Sequence, residues 1–305
     1  MIPFLEPVEH FGQRFDRGSI LFEFDALREP ERTQFPIIGK HLSARGCVFN
    51  EIPVPVMLWR GKLWPDLYIA NQLEAVPEDW FGTAFESLSH PQWKSGWQGN
   101  FRLRDASIDN HGENFHAEFI ETMCLKISGR SSADISAKFH RALWLPLYWP
   151  QTLRARKSIR TPFFYPSAGY AGRLTELLPV QVGGIKRSDA IPEYASVALS
   201  IAYVVAEPRE IFSVCFVVDE SPIYRITDMD VCAGIEAPLH RLIVEYRGEC
   251  HVHDEMARLG FVDRIEQIAY GSARLQLPTL ANVQAGWTPR PHINAQILEI
   301  INGQK

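Results

Sequence analysis

The chain has 305 residues, 46% hydrophobic and 22% charged, which is apolar enough to bury a core and excludes a disordered chain. Its formal charge of −5 disfavours a general polyanion binder, so nucleic acid is not an expected partner. The length suits one large domain or two interleaved ones.

In chain order, Phe11–Asp25 reads as a turn entering a strand around Ile20, Leu21, Phe22 and Phe24. Ile52–Trp64 carries the clearest hairpin signal of the first hundred residues: Val54, Val56 and Leu58 alternate, and Arg60-Gly61 turns the chain toward Leu63 and Trp64. Pro53 and Pro55 are expected to push its first strand to a sheet edge. Glu113–Ser128 spaces Phe115, Phe119, Met123 and Ile127 four apart, which predicts a helix that Gly129 stops. Ser131 or Ser132 is then expected to cap a second helix with Ile135, Phe139 and Leu143, and Ala171–Leu178 reads as a third.

Val197, Leu199, Ile201, Tyr203 and Val205 alternate with mostly smaller residues and predict a strand. Ser213–Val218 and Leu239–Tyr246 add two more, and successive strands with no helix between them imply antiparallel pairing. His253–Leu259 and Ile293–Ile301 close the chain as helices. The expected class is α+β, with a β-rich opening, a helical insert and an antiparallel sheet.

The longest mostly apolar stretch, Ala195–Ala206, is too short to span a bilayer, so no membrane span is expected. Met1–His10 lacks the basic region of a secretory signal. The five scattered cysteines contain no Cys-x-x-Cys, so reduced thiols and a cytoplasmic location are expected. Cys250-His251-Val252-His253-Asp254-Glu255 is the one potential ligand cluster, but it reads better as a strand-to-helix junction capped by Asp254, and no metal is expected.

The chain has no Gly-x-Gly, no phosphate-binding loop ending in Gly-Lys-Ser/Thr, no Gly-x-Ser-x-Gly and no His-Glu-x-x-His. Arg154–Arg160 is a basic run among aromatic residues and reads first as a solvated loop. Pro166–Leu174 is a proline-glycine turn running into a helix, whose amides either face an anion or simply start the helix. Arg225 stands between apolar residues at a strand end and must be paired if buried. It either binds a carboxylate or phosphate, or pairs internally with Asp228 or Glu245.

Taken in order, five segments resemble the flavin-dependent amine-oxidase superfamily, near its UDP-galactopyranose mutase and protoporphyrinogen-oxidase-like branch. They are Phe15-Asp16-Arg17-Gly18, the hairpin Val56–Trp64, Phe119–Gly129 with Ser132–Ser136, Phe164–Tyr170 with Leu177, and Tyr224-Arg225-Ile226-Thr227 with Leu242–Tyr246. The resemblance implies a flavin-oxidoreductase-like fold, with 1–52 and 247–305 as the remnant of a flavin-binding-type domain. It makes 53–246 a substrate-type domain with a helical insert over 112–180. It implies that Arg225 grips an anionic substrate such as a nucleotide sugar, oriented by Tyr224 and Thr227, and that Gly169, Tyr170 and Trp287 lie near the flavin.

The family's βαβ unit of roughly 30 residues with Gly-x-Gly-x-x-Gly is not found ahead of Phe15. Gly286-Trp287-Thr288-Pro289 stands where the family carries a Gly-Arg motif. FAD is therefore expected only with a second protein chain that supplies the missing unit, giving a hetero-oligomer. The alternative is a non-catalytic, cofactor-free relative serving as a binding or scaffold protein.

Overall fold

The computed structural model describes residues 8–15, 22–23, 49–52, 56–64, 101–137, 163–166 and 196–285. Val8–His10 (β1) and Gln13–Phe15 (β2) form a short antiparallel hairpin. Phe22–Glu23 (β3), Phe49–Ile52 (β4) and Phe163–Pro166 (β7) make a three-stranded sheet in the order β3-β7-β4.

The principal sheet has seven strands. Val56–Trp59 (β5), Lys62–Trp64 (β6), Ser196–Pro208 (β8), Val214–Val217 (β9), Ile223–Asp228 (β10), His240–Tyr246 (β11) and Val262–Gln276 (β12) lie in the order β12-β8-β11-β10-β9-β5-β6. Its pairings are antiparallel except β5 with β9, so the sheet is mixed. The α+β class therefore stands.

The hairpin lies where its alternation places it, but β5 is not an edge. It is paired by β9 on one side and β6 on the other, and β6 takes the edge. Pro53 and Pro55 precede the first strand residue, Val56, so neither removes a ladder donor within β5.

One face of the sheet carries a helical layer. Leu103–His111 (α1), Glu113–Phe115 (α2), a π-helical segment His116–Glu121 and Thr122–Ser128 (α3) follow each other along the chain. Phe119, Ile120 and Met123 pack with Met57, Trp59, Leu199 and Tyr224 into one core cluster. The predicted helix over Glu113–Ser128 is thus present, and Gly129 ends it in the left-handed conformation at φ 63. Its wide π turn rotates the later residues relative to the earlier ones.

The second predicted helix does not start at Ser131 or Ser132. Ile135 and Ser136 form isolated bridges with Thr279 and Arg102, because these backbone groups find strand-like partners instead. The helices expected over Ala171–Leu178 and Ile293–Ile301 lie outside the described residues.

The opposite face packs a second cluster of Ala202, Val204, Leu242, Val244 and Ile226 against Val252–Arg258 (α5). Met229–Ala233 (α4) and Leu280–Gln284 (α6) complete the described helices. Among the described residues no helix is long and apolar enough to cross a membrane.

Candidate functional site

Tyr224, Arg225 and Thr227 all lie on β10, and their surroundings follow from a register shift. The β10–β11 ladder pairs Ile223 with Tyr246, then Arg225 with Glu245, leaving Tyr224 as an extra residue. Ile223 joins the core on the α5 side, whereas Tyr224 joins the helical-layer side. The Arg225 guanidinium lies 6.0 Å from the ring centre of Phe216, which packs against that same helical-layer core. The shift thus turns two consecutive side chains toward one face.

Arg225 and Glu245 are both buried, and Arg225 donates to Oε2 of Glu245 through Nε and through its terminal nitrogen. Burial pushes the Glu245 carboxyl up, while the Arg225 charge pulls it down. Of the two internal partners open to Arg225, the structure selects Glu245. Tyr224 is buried with no hydrogen-bond partner for its hydroxyl among the described residues, and burial raises its pKa. Thr227 is buried as well. Gly169, Tyr170 and Trp287 lie outside the described residues.

Asp228 is used elsewhere. Its Oδ1 accepts from the backbone N–H of Asp230 at 3.0 Å and of Val231 at 2.9 Å, capping α4. Its Oδ2 lies 2.6 Å from Nδ1 of His240. That hydrogen bond raises the His240 pKa against the effect of burial.

The expected Cys250–Glu255 junction is present, but His251 rather than Asp254 is the residue before the helix, with no side-chain cap. Among the described residues no group of three or more metal-ligating side chains assembles. In the π segment, His116 Nε2 lies 3.3 Å from Ser132 Oγ, and that hydroxyl also donates to Glu121. The acid and the imidazole share one serine hydroxyl, so they do not form a relay in which the acid orients the histidine.

The open site lies at the hairpin end of β9 and β10. A cleft of about 840 Å³ is bordered by Trp59, Arg60, Glu118, Lys126, Asp219 and Arg258, among others. Glu118, Thr122 and Lys126 reach it from successive turns of the π segment and α3. Arg60 makes a two-pronged pair with Glu118, at 2.8 and 2.9 Å. Arg258 pairs with Glu255 at 2.6 Å and donates to the Glu220 carbonyl at 2.8 Å. Lys126 Nζ donates to the carbonyls of Val217 at 2.8 Å, Val218 at 3.3 Å and Asp219. Burial lowers its pKa to about 8, with Asp219 and Glu255 pulling the other way. Sequence reading found the Arg60-Gly61 turn but not Lys126 or Asp219.

The described helix starts offer no cradle for the pyrophosphate of a dinucleotide. Apart from α3, which continues the π segment, the described helix starts are capped by the chain itself, as at Asp228 and Thr279, or carry acids in the first turn, as at Asp105, Glu113, Asp254 and Glu255. A capped start has its first amides already satisfied, and an acid in the first turn opposes a phosphate. No step through a flavin is derived from these residues.

No family model matches this sequence, and no curated protein matches it. Solved structures do resemble its fold. A reduced UDP-galactopyranose mutase aligns with TM-score 0.52 and 11% identity, over 77% of this chain and 68% of that one. A CLA-producing fatty acid isomerase from P. acnes aligns with TM-score 0.47 and 10% identity, over 92% and 80%. An oxidoreductase from Methanosarcina mazei aligns with TM-score 0.46 and 8% identity, over 76% and 72%. At these identities the likeness concerns the fold alone, which is flavin-oxidoreductase-like.

Proposed function

We propose that this chain is the substrate-binding part of a flavin-dependent oxidoreductase or mutase-like enzyme. A second chain supplies the dinucleotide-binding unit and holds FAD, and the substrate is a small anionic molecule such as a nucleotide sugar. The observation that carries this reading is the fold likeness to UDP-galactopyranose mutase over 77% of the chain. These 305 residues contain no Gly-x-Gly, so in this reading the dinucleotide-binding unit comes from outside them.

In this reading Arg225, Tyr224 and Thr227 act at the substrate side from within the sheet. A guanidinium already matched by Glu245 offers little net charge to an anion. Arg225 and Glu245 therefore serve as positioning residues that fix Tyr224, whose hydroxyl is the group left to be satisfied. The flavin supplies the electron chemistry when bound, and this chain supplies orientation and exclusion of water.

The second reading is a cofactor-free binding or scaffold protein. It is favoured by the neutralised Arg225–Glu245 pair and by the acid-guarded helix starts. An absorbance spectrum of the protein isolated with its co-purifying partners separates the two. Flavin absorbance together with a second chain is the expected result. A colourless sample that stays so with excess FAD and the co-purified fraction overturns the enzyme reading.

A further inference from the structure

The turn joining β5 to β6 holds two successive left-handed residues, Arg60 at φ 53 and Gly61 at φ 68. The hairpin ladder closes at Trp59 and Lys62, so it uses neither the Arg60 nor the Gly61 amide. Successive N–H groups in a turn form a concavity of positive potential suited to an oxyanion. Here they already hold one. Arg60 N–H donates to Oδ1 of Asp219, and Gly61 N–H donates to Oδ2 at 2.7 Å. Asp219 is 158 residues from Gly61, so this is a long-range contact and not a local turn.

A second element supports the same carboxylate position. Lys126 Nζ grips the three carbonyls leading up to Asp219 and brings its charge beside that residue. Both features border the open cleft of about 840 Å³. Of the other acids bordering the cleft, Glu118 and Glu255 are matched by Arg60 and Arg258, and Glu220 also faces the Arg258 charge, which reduces their repulsion of an incoming anion.

We propose that the Arg60-Gly61 turn is a docking point for the carboxylate or phosphate group of a small ligand seated in this cleft, with Asp219 as the built-in occupant that the ligand displaces. The exchange conserves both amide hydrogen bonds and trades one oxyanion for another. A tethered carboxylate competes at an effective concentration on the order of millimolar, so the ligand must bring further contacts or a second negative charge. Free, unmatched oxyanions therefore bind weakly until Asp219 is removed. This proposal stands apart from the flavin reading, since its test uses no flavin and reads no turnover.

The test titrates the full chain with inorganic pyrophosphate, and separately with acetate, at constant ionic strength. Calorimetry gives the affinity, and amide NMR follows Arg60 and Gly61. Asp219→Ala is expected to bind pyrophosphate about tenfold more tightly than wild type or better, with both amide resonances shifting. Equal affinity in the two proteins, or no shift at those amides, overturns the proposal. Should Asp219→Ala fail to fold, wild type decides: a saturable shift of both amides at high pyrophosphate supports the site, and its absence overturns it. A response to acetate as well as pyrophosphate assigns a carboxylate-tolerant site, and a response to pyrophosphate alone assigns a phosphate site.

Discussion

Two arginine–carboxylate pairs do opposite work: Arg225–Glu245 joins adjacent strands of the principal sheet, and Arg60–Glu118 joins the β5–β6 turn to the π segment. Arg225–Glu245 has side chains 7% and 1% exposed, whereas those of Arg60–Glu118 are 45% and 40% exposed. The first pair replaces water for two charges in the core, so removing either partner leaves the other uncompensated. The second remains in solvent, where Coulomb attraction is weak and salt screens it. Identical chemistry thus marks a structural element in one place and an adjustable rim in the other.

The sharpest way to break this contrast is Glu245→Ala. It strands a buried guanidinium and should cost about 3–5 kcal/mol in urea denaturation. Replacing both partners by methionine should recover most of that loss, because no buried charge then remains. A loss below about 1 kcal/mol for Glu245→Ala would show that Arg225 reaches water or another acid.

The contrast also separates what could be read from the sequence. Arg225 is conspicuous there, an arginine inside Ile-Tyr-Arg-Ile. Its partner is not, because choosing Glu245 over Asp228 requires the β10–β11 register and its shift at Tyr224. The hairpin at Arg60-Gly61 and the helix ending at Gly129 are legible, since alternation, four-residue spacing and turn chemistry are local signals. β12 is not, although it spans 15 residues. Two register shifts interrupt its alternation, and Asp263, Arg264 and Glu266 dilute its apolar pattern. The parallel contact of β5 with β9 and the meeting of Lys126 with Asp219 join residues far apart in sequence. No motif announces either.

His240 gives an effect of intermediate size with a defined direction. Its hydrogen bond to Asp228 raises its folded-state pKa above the ordinary 6.5. The unfolded chain releases that proton at lower pH than the folded one. The pair's contribution is therefore complete below pH 6.5 and is lost as pH rises through the raised value. The urea midpoint of wild type should fall across that window, and His240→Gln should remove this part of the slope. An unchanged slope in the variant would assign the pH dependence to other groups.

The smallest expected effect is at Arg60. Arg60→Ala deletes the exposed pair with Glu118 and should cost at most about 1 kcal/mol, less at high salt. It leaves both turn amides on Asp219, since those donors belong to the backbone. Alanine also keeps the cost of a Cβ at φ 53, which glycine does not carry. Arg60→Gly should therefore be more stable than Arg60→Ala by about 1 kcal/mol. Comparing the two urea midpoints isolates the backbone term from the ion pair. If the glycine variant is the less stable, the extra freedom that glycine gives the unfolded chain outweighs the strain it relieves at this left-handed position.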